Sequence, residues 1–455
     1  MHGHNTRDYA PLTEWQAFHA ANPDIQAIDA FIIDLNGHST GKRLPAADGE
    51  KLYKGGVMYS ACALIADCRG MGHDAGGMGQ SDGDPDGIVR PLSGMLRRVP
   101  WTATPTAQVV CQMTDVSAGK ELWFDPRRIL ADVVAKCRAA GLHPVVACEL
   151  EFYLVDPKRK PDGGLALGAL PGRDPPRRAG NLSLDAVEDM AQFLTRVDEA
   201  AAVQQLPVCG AVAEYGVNQF EVNLRHIADP VLAADQAVLL RRLVRGVARS
   251  LGMDATFMAK PFMDQPGNGL HVHVSLVDEA GHNRFGAPGG DTLLRQGIAG
   301  MQSLMYDSMA LYAPNFNSQR RFLGPFVPTS RDWGRNNRSV AFRVPVGEGE
   351  ARRIEHRVAG ADASPHLTLA AILAAMLHGI GNRLESTEPV DGRAIASDDA
   401  DFPGDLIVAL ERLVASKPLA QYIPERYLRL YSQVKRGEYG ELIDTVFNRE
   451  FDFYA

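Results

Sequence analysis

Leu270-His271-Val272-His273-Val274-Ser275-Leu276 alternates without a break, apolar at each even position and polar at each odd one. Successive side chains of a strand point to opposite faces, so His271, His273 and Ser275 share one face. Three other segments read the same way. In 147–153, Glu149 and Glu151 stand together against Cys148, Leu150 and Phe152. In 217–224, Gln219, Glu221 and Asn223 oppose Phe220, Val222 and Leu224, with Glu214 just upstream. In 352–358, Arg353, Glu355 and Arg357 form a polar set.

One such strand is what any sheet with a wet face displays. Four of them carrying five glutamates, two histidines and several arginines call for a chemical reason. Carboxylates gathered on one surface repel unless cations lie between them. Hard divalent ions such as Mg²⁺ and Mn²⁺ take carboxylate oxygens, and Mn²⁺ accepts imidazole more readily. Arginines around such a centre grip phosphate bidentately. Metal, carboxylate and arginine together point to phosphoryl transfer from a nucleotide.

Outward from these strands the chain reads as α+β, a small N-terminal unit before a larger sheet-and-helix unit. Asp125-Pro126 and Asp229-Pro230 each place an acid at a helix N-cap and proline at the first helical position. The first helix is expected to stop at Gly141, the second near Gly252. Ser364-Pro365 opens a third, with apolar spacing through Leu367, Leu369, Ile372, Leu373 and Met376. Ile28–Leu35 and Gln108–Met113 are apolar runs in a strand-rich N-terminal region, the first ending in the turn pair Asn36-Gly37. Residues 70–87 hold seven glycines and four aspartates without a GxxxxGK[ST] motif, so they read as a loop and not as a P-loop. Residues 156–182 read as a second surface loop.

Bulk properties narrow the classes. With 455 residues, 45% hydrophobic and 22% charged, the chain has the composition of a globular protein with a large core. A net charge of -8 with scattered Lys and Arg argues against nucleic acid as a partner. No apolar run reaches the length of a membrane helix, and no signal peptide is expected. Six cysteines without a CxxC pair suggest reduced thiols in a cytoplasmic protein, most of them core residues. His143, His226 and His282 read as surface or satisfied histidines, Arg241-Arg242 as a solvated helix face, and Met301–Met309 as core.

Taken in order, Glu149-x-Glu151, Glu214 with Gln219-Phe220-Glu221, Lys260-Pro261 followed by 267–273, Asn337-Arg338-Ser339, and Arg353-Ile354-Glu355-x-Arg357 resemble the glutamine synthetase family over residues 25 to 375. The resemblance implies an N-terminal β-grasp domain (1–118) and a C-terminal catalytic domain (119–455) with a curved antiparallel sheet. It also implies a dodecamer of two stacked hexamers with active sites between neighbouring subunits. Carried over by motif, Glu151, Glu214 and Glu221 hold one metal, and Glu149, His271 and Glu355 hold a second. Two or three Mg²⁺ or Mn²⁺ ions per active site are implied. His273, Ser275, Arg343 and Arg353 contact ATP, and Arg338 stabilises the transferred phosphoryl group. Gly267, Arg321 and Arg357 hold L-glutamate. All six metal positions match, which argues against a catalytically dead regulator.

The pattern departs from true glutamine synthetases where ammonium is captured. Their Asp-Gly-Ser-Ser loop is missing; the N-terminal region offers Gly41-Lys42-Arg43-Leu44-Pro45. The glutamate that follows the equivalent of Arg321 is missing too, since residues 323–329 read Leu-Gly-Pro-Phe-Val-Pro-Thr. Losing both acids removes the cation trap and leaves room for a larger amine. Pro266 stands where that family's motif has Asn. Asp34-Leu35-Asn36-Gly37, Gly41-Lys42-Arg43 and Glu214-Tyr215-Gly216 resemble the γ-glutamylpolyamine synthetase branch, which implies a polyamine substrate. Another primary amine, or ammonia, stays open as an alternative. Trp333, Asp332 and the Asp74–Asp86 loop are the candidates for gripping a dicationic amine.

Overall fold

The computed structural model describes residues 8–117, 119–176, 178, 180–324, 327–394, 401–446, 450 and 453. The expected α+β character holds, built on two sheets. Five strands, β1 (Ala27–Ile33), β2 (Ser39–Pro45), β3 (Val57–Ser60), β4 (Asp86–Val99) and β5 (Thr106–Asp115), form the first, in the order β2-β1-β5-β4-β3. Its β1–β5 pair is parallel and the others antiparallel. Asn36 and Gly37 make the turn between β1 and β2, with Gly37 at φ +74°, a backbone shape that glycine adopts without strain.

The second sheet has eight strands. These are β6 (His143–Val155), β7 (Val208–Ala213), β8 (Gln219–Leu224), β9 (Asp254–Thr256), β10 (Leu270–Val277), β11 (Trp333–Arg335), β12 (Phe342–Val344) and β13 (Ile354–His356). Their order is β11-β12-β13-β10-β6-β8-β7, with β9 paired to the far end of β6. All pairs are antiparallel except β11–β12.

The three expected helices form where the sequence placed them. Asp125 and Asp229 cap Pro126–Ala139 and Pro230–Ser250 by accepting from Arg127 N and Leu232 N. Pro365–Gly381 is buried almost all round, as its continuous apolar sequence demands. It crosses Gly290–Leu304 closely enough that a Cβ on Gly300 would sit 1.9 Å from the Ala375 carbonyl oxygen.

Two readings need correction. Arg241-Arg242 is not a solvated face. Arg241 is 5% exposed and donates to the Ala363 carbonyl. Arg242 reaches Asp29 on β1 and Gln108 on β5, joining the helix 230–250 to the five-stranded sheet. Solvation was expected from charge alone, but a guanidinium on a long stem suits a joint between packed units. Of the cysteines, Cys111, Cys137 and Cys148 are buried, while Cys62 is half-buried and Cys68 and Cys209 are exposed. All six are free. No helix among the described residues is long and apolar enough to cross a membrane.

The three helices meet at a fully buried ion triad. Arg127 pairs with Asp235 at 3.1 Å, and His366 Nε2 meets the same carboxylate at 2.9 Å. Removing one member leaves the others charged or unsatisfied in a dry core. Asp235→Ala is therefore expected to destabilise the fold by about 3–5 kcal/mol. Thermal and urea unfolding check this; a loss under ~1 kcal/mol would mean that the triad contributes nothing net.

Candidate active site

The registers of β8, β6, β10, β13 and β12 bring distant polar residues onto one face. Glu221 lies opposite Glu151, and Asn223 opposite Glu149. Glu149 in turn lies opposite His271. Glu355 lies opposite His273 on one side and Arg343 on the other. The reverse face carries Leu150, Phe152, Phe220, Val222, Val272 and Val274, each at most 1% exposed. Burial of that apolar face fixes the register, because a slip of one residue would turn every carboxylate into the core.

The side chains meet as the strands require. His271 Nδ1 lies 3.7 Å from Glu149 and 3.8 Å from Glu221, while its Nε2 lies 3.9 Å from Glu151. Two sets of ligand atoms result, Glu149-His271-Glu355 and Glu151-Glu221-His271, each spanning no more than 4.8 Å. His271 belongs to both. Glu214 belongs to neither set. It stands just outside, at the turn between β7 and β8, near enough for its charge to act on Glu221.

Electrostatics show what the cluster lacks. Burial pushes Glu221 well above the usual carboxylate range, and Glu149, Glu151 and Glu214 push it further. Burial, then the Glu151 charge, moves Glu214 to about 7. Glu355 is also buried, but Arg357 ahead of His271, His273 and Arg343 outweighs the burial and holds it at about 2. Hydrogen bonds from His271 and His273 likewise outweigh burial at Glu149 and hold it low. Arg343 donates to Glu355 at 2.8 Å, and Arg357 donates to its other oxygen. The Glu355 side of the cluster is thus neutralised by arginine. On the Glu221–Glu214 side no arginine forms an ion pair among the described residues, the charges of Arg357 and Arg338 only partly offset burial at Glu214, and both carboxyls are pushed toward protonation. Oxygen and imidazole donors with unbalanced negative charge fit divalent cations.

Around the cluster lie the other expected residues. His273 Nε2 is 2.8 Å from Glu149, and its Nδ1 accepts from Arg353 Nε at 3.1 Å. Ser275 follows on the same face and is buried. Arg321 is 4% exposed and donates to the Val358 carbonyl at 2.7 Å. Gly267 packs so tightly that a Cβ would come within 2.5 Å of the Ala259 oxygen and 2.8 Å of Arg321 Cγ. Gly269 N donates to Glu151 at 2.6 Å. Arg338 is exposed, and its charge reaches Glu214.

The proposed amine grips fare worse. Trp333 is fully buried, with its indole N–H donated to the Thr387 carbonyl, so it cannot line a pocket mouth. Its place on β11 turns the ring into the core. Asp332 accepts from Ser330. In the Asp74–Asp86 loop two acids are used within the loop, with Ser81 donating to Asp74 and Gly79 to Asp82, while Asp84 accepts from Ser60. The loop docks on the helix Glu425–Ile443 through Gly76 N and Gln433. Pro325 and Phe326 lie outside the described residues.

Two neighbours escaped the sequence reading of site residues. Asn223 continues the Gln219-x-Glu221-x-Asn223 alternation, and its Oδ1 is buried without a partner. His226 lies beyond the end of β8, where alternation gives no signal, yet its ring centroid is 5.7 Å from that of His273. Burial, then His273 and Arg353, lowers its pKa to about 4, so it stands neutral beside them.

Comparison with known proteins gives the family. The family model "Glutamine synthetase, catalytic domain" matches residues 124–454. The chain is 40% identical to gamma-glutamylputrescine synthetase PuuA of Escherichia coli (strain K12) over 422 residues, 91% of this chain and 89% of that one. It is 30% identical to glutamate–isopropylamine ligase of a Pseudomonas species, over 83% of each chain. A solved structure described as a GmaS/ADP complex superposes with a TM-score of 0.81 at 24% identity, covering 96% of this chain and 98% of that one. With the family model matching most of the chain and a relative 40% identical over 91% of it, the protein belongs to the glutamine synthetase family.

Proposed function

We propose that the protein is an ATP-dependent ligase that joins the γ-carboxylate of L-glutamate to a polyamine such as putrescine, through γ-glutamyl phosphate. The observation that carries this reading is the pair of ligand triads sharing His271, flanked by Arg343, Arg353 and Arg357. The similarity to PuuA, and the missing ammonium-binding acids, favour an amine larger than ammonia.

In this reading Glu151, Glu214 and Glu221 hold one divalent cation, and Glu149, His271 and Glu355 a second. Bound Mg²⁺ or Mn²⁺ would screen the negative charge shared by ATP and glutamate. His273, Ser275, Arg343 and Arg353 bind the nucleotide. His273 is kept in orientation by Glu149 on one ring nitrogen and Arg353 on the other. Arg321, Arg357 and the Gly267 backbone hold glutamate so that a γ-oxygen faces the terminal phosphate. Attack there gives γ-glutamyl phosphate and ADP. Arg338 offsets the charge on the phosphoryl group in flight. The amine nitrogen then attacks the γ-carbonyl, phosphate leaves, and the nitrogen loses a proton. Solvent takes that proton.

The finer assignments belong to the same reading. Residues 1–118 form the N-terminal domain and 119–455 the catalytic domain. Two hexameric rings stack into a dodecamer. Six free thiols suit the reducing cytoplasm. The similarity to glutamate–isopropylamine ligase keeps a primary monoamine as a second reading.

A phosphate-release assay with ATP and glutamate separates these readings. Putrescine or spermidine is expected to exceed both ammonium and isopropylamine in kcat/KM by at least about tenfold. A preference for ammonium would sink the proposal, and a preference for isopropylamine would select the second reading. Glu355→Ala is expected to abolish turnover while the oligomer assembles normally by light scattering; a wild-type rate would remove Glu355 from the metal set. Mn²⁺ at about 100 times its Kd should stabilise the fold by about 2.7 kcal/mol. Glu221→Gln should weaken that binding by at least about tenfold, the loss seen even for outer-shell partners. Calorimetry and thermal unfolding read both effects, and Mn²⁺ affinity unchanged in the variant would contradict the assignment.

A further inference from the structure

Apart from the metal-ligand cluster, a cavity of about 450 Å³ opens where the β1–β2 turn, the helix 230–250 and the helix 425–443 meet. Its cationic wall is Arg241 and Arg245, one helical turn apart. Both guanidinium groups lie over the Phe257 ring, at 6.0 and 5.2 Å from its centroid. Among the described residues, neither arginine has a carboxylate within ion-pair distance. Arg241 spends one nitrogen on the Ala363 carbonyl, and among the described residues Arg245 makes no hydrogen bond, though the Asp254 charge reaches it.

The glutamates of the cavity are engaged elsewhere, while Asp362, whose Oδ1 has no hydrogen-bond partner among the described residues, acts on Arg241 through its charge. Glu438 accepts from Lys435 Nζ and Cys68 N. Glu441 pairs with Arg69. Asp362 accepts from Asn315 and Ser318. Two adjacent like charges, desolvated and unpaired, repel each other. Burial first, and then Arg245, lowers the Arg241 pKa to about 10. A charged pair held this way fits an anion from outside the chain, gripped by forked guanidinium groups.

We propose that this cavity is a second ligand site, taking a small molecule through a carboxylate or phosphate group bound between Arg241 and Arg245. The site is placed to act as an effector site. Thr256, Met258 and Ala361 line it, and the same residues clasp Asn268. Asn268 donates to the Thr256 and Met258 carbonyls, and its own carbonyl accepts from Ala361 N. Asn268 separates Gly267 from Gly269, which pack against Arg321. An occupant that shifts this wall therefore changes how glutamate is held. That coupling rests on the glutamate assignment above, whereas the binding itself does not.

Inorganic phosphate and succinate serve as probes on the purified full-length protein, without ATP or metal. Cys68 lines the cavity, and Cys209 is exposed elsewhere. Either probe is expected to slow alkylation of Cys68 at least about threefold while leaving Cys209 unchanged, read by mass spectrometry on the wild-type chain. Which probe protects identifies the group that the site prefers. In calorimetry, Arg245→Gln should weaken that binding by about tenfold or more, Arg245→Lys should recover only part of it because an ammonium keeps the charge without the fork, and Arg353→Gln should leave it unchanged. Absence of protection by both probes at millimolar concentration overturns the site, and so does binding lost with Arg353→Gln but kept with Arg245→Gln. With the protecting probe saturating, the KM for glutamate is expected to shift at least about twofold with a smaller change in kcat. An unchanged KM overturns the coupling.

Discussion

The structure turns on the repulsion among carboxylates gathered at the face of one sheet. Glu149, Glu151, Glu221 and Glu355 stand on neighbouring strands, with Glu214 beside them, all near His271. The bonds on the polar side, such as those of Arg343 and Arg357 to Glu355, serve only part of the cluster. The apolar reverse face holds them there, because Leu150, Phe152, Val222 and Val272 are sealed in the core and cannot leave without exposing it. The stability of one face supplies the unfavourable geometry of the other, which cations between the carboxylates would relieve. Half of the cluster is already relieved by Arg343 and Arg357 at Glu355. The other half, at Glu221 and Glu214, is left unbalanced, and the asymmetry gives the site a direction.

Buried cations recur as joints in the rest of the molecule. Arg242 ties the helix 230–250 to β1 and β5. Lys435, 1% exposed, donates to Asn36, Asn315 and Glu438, so one ammonium group fastens the β1–β2 turn, a catalytic-region loop and the helix 425–443. Each of these charges has its partner. Arg241 and Arg245 depart from these joints, which is why the cavity beside them stands out.

Amine choice is written in what the chain omits as much as in what it holds. Without acids at the two places where the family traps ammonium, the second substrate must be recognised by other means. The aromatic residue that looked best placed for it, Trp333, is core. The exposed Tyr215 and its neighbour Glu214 remain at the edge of the cluster.

The sequence by itself determined the elements and the chemistry. Alternation in 147–153, 219–224 and 270–276 named the polar faces, and Asp-Pro pairs named the helix starts. These are local signals, set by the two-residue strand period and by the capping of orphan amides. What the sequence could not carry was whether the faces met. That depends on strand order, and β6 pairs with β10 across more than a hundred residues. Only the tertiary structure made His271 common to both triads and left Glu214 outside them. Only it turned Trp333 inward and buried Arg241, because exposure is a property of what packs against a residue and not of the residue itself.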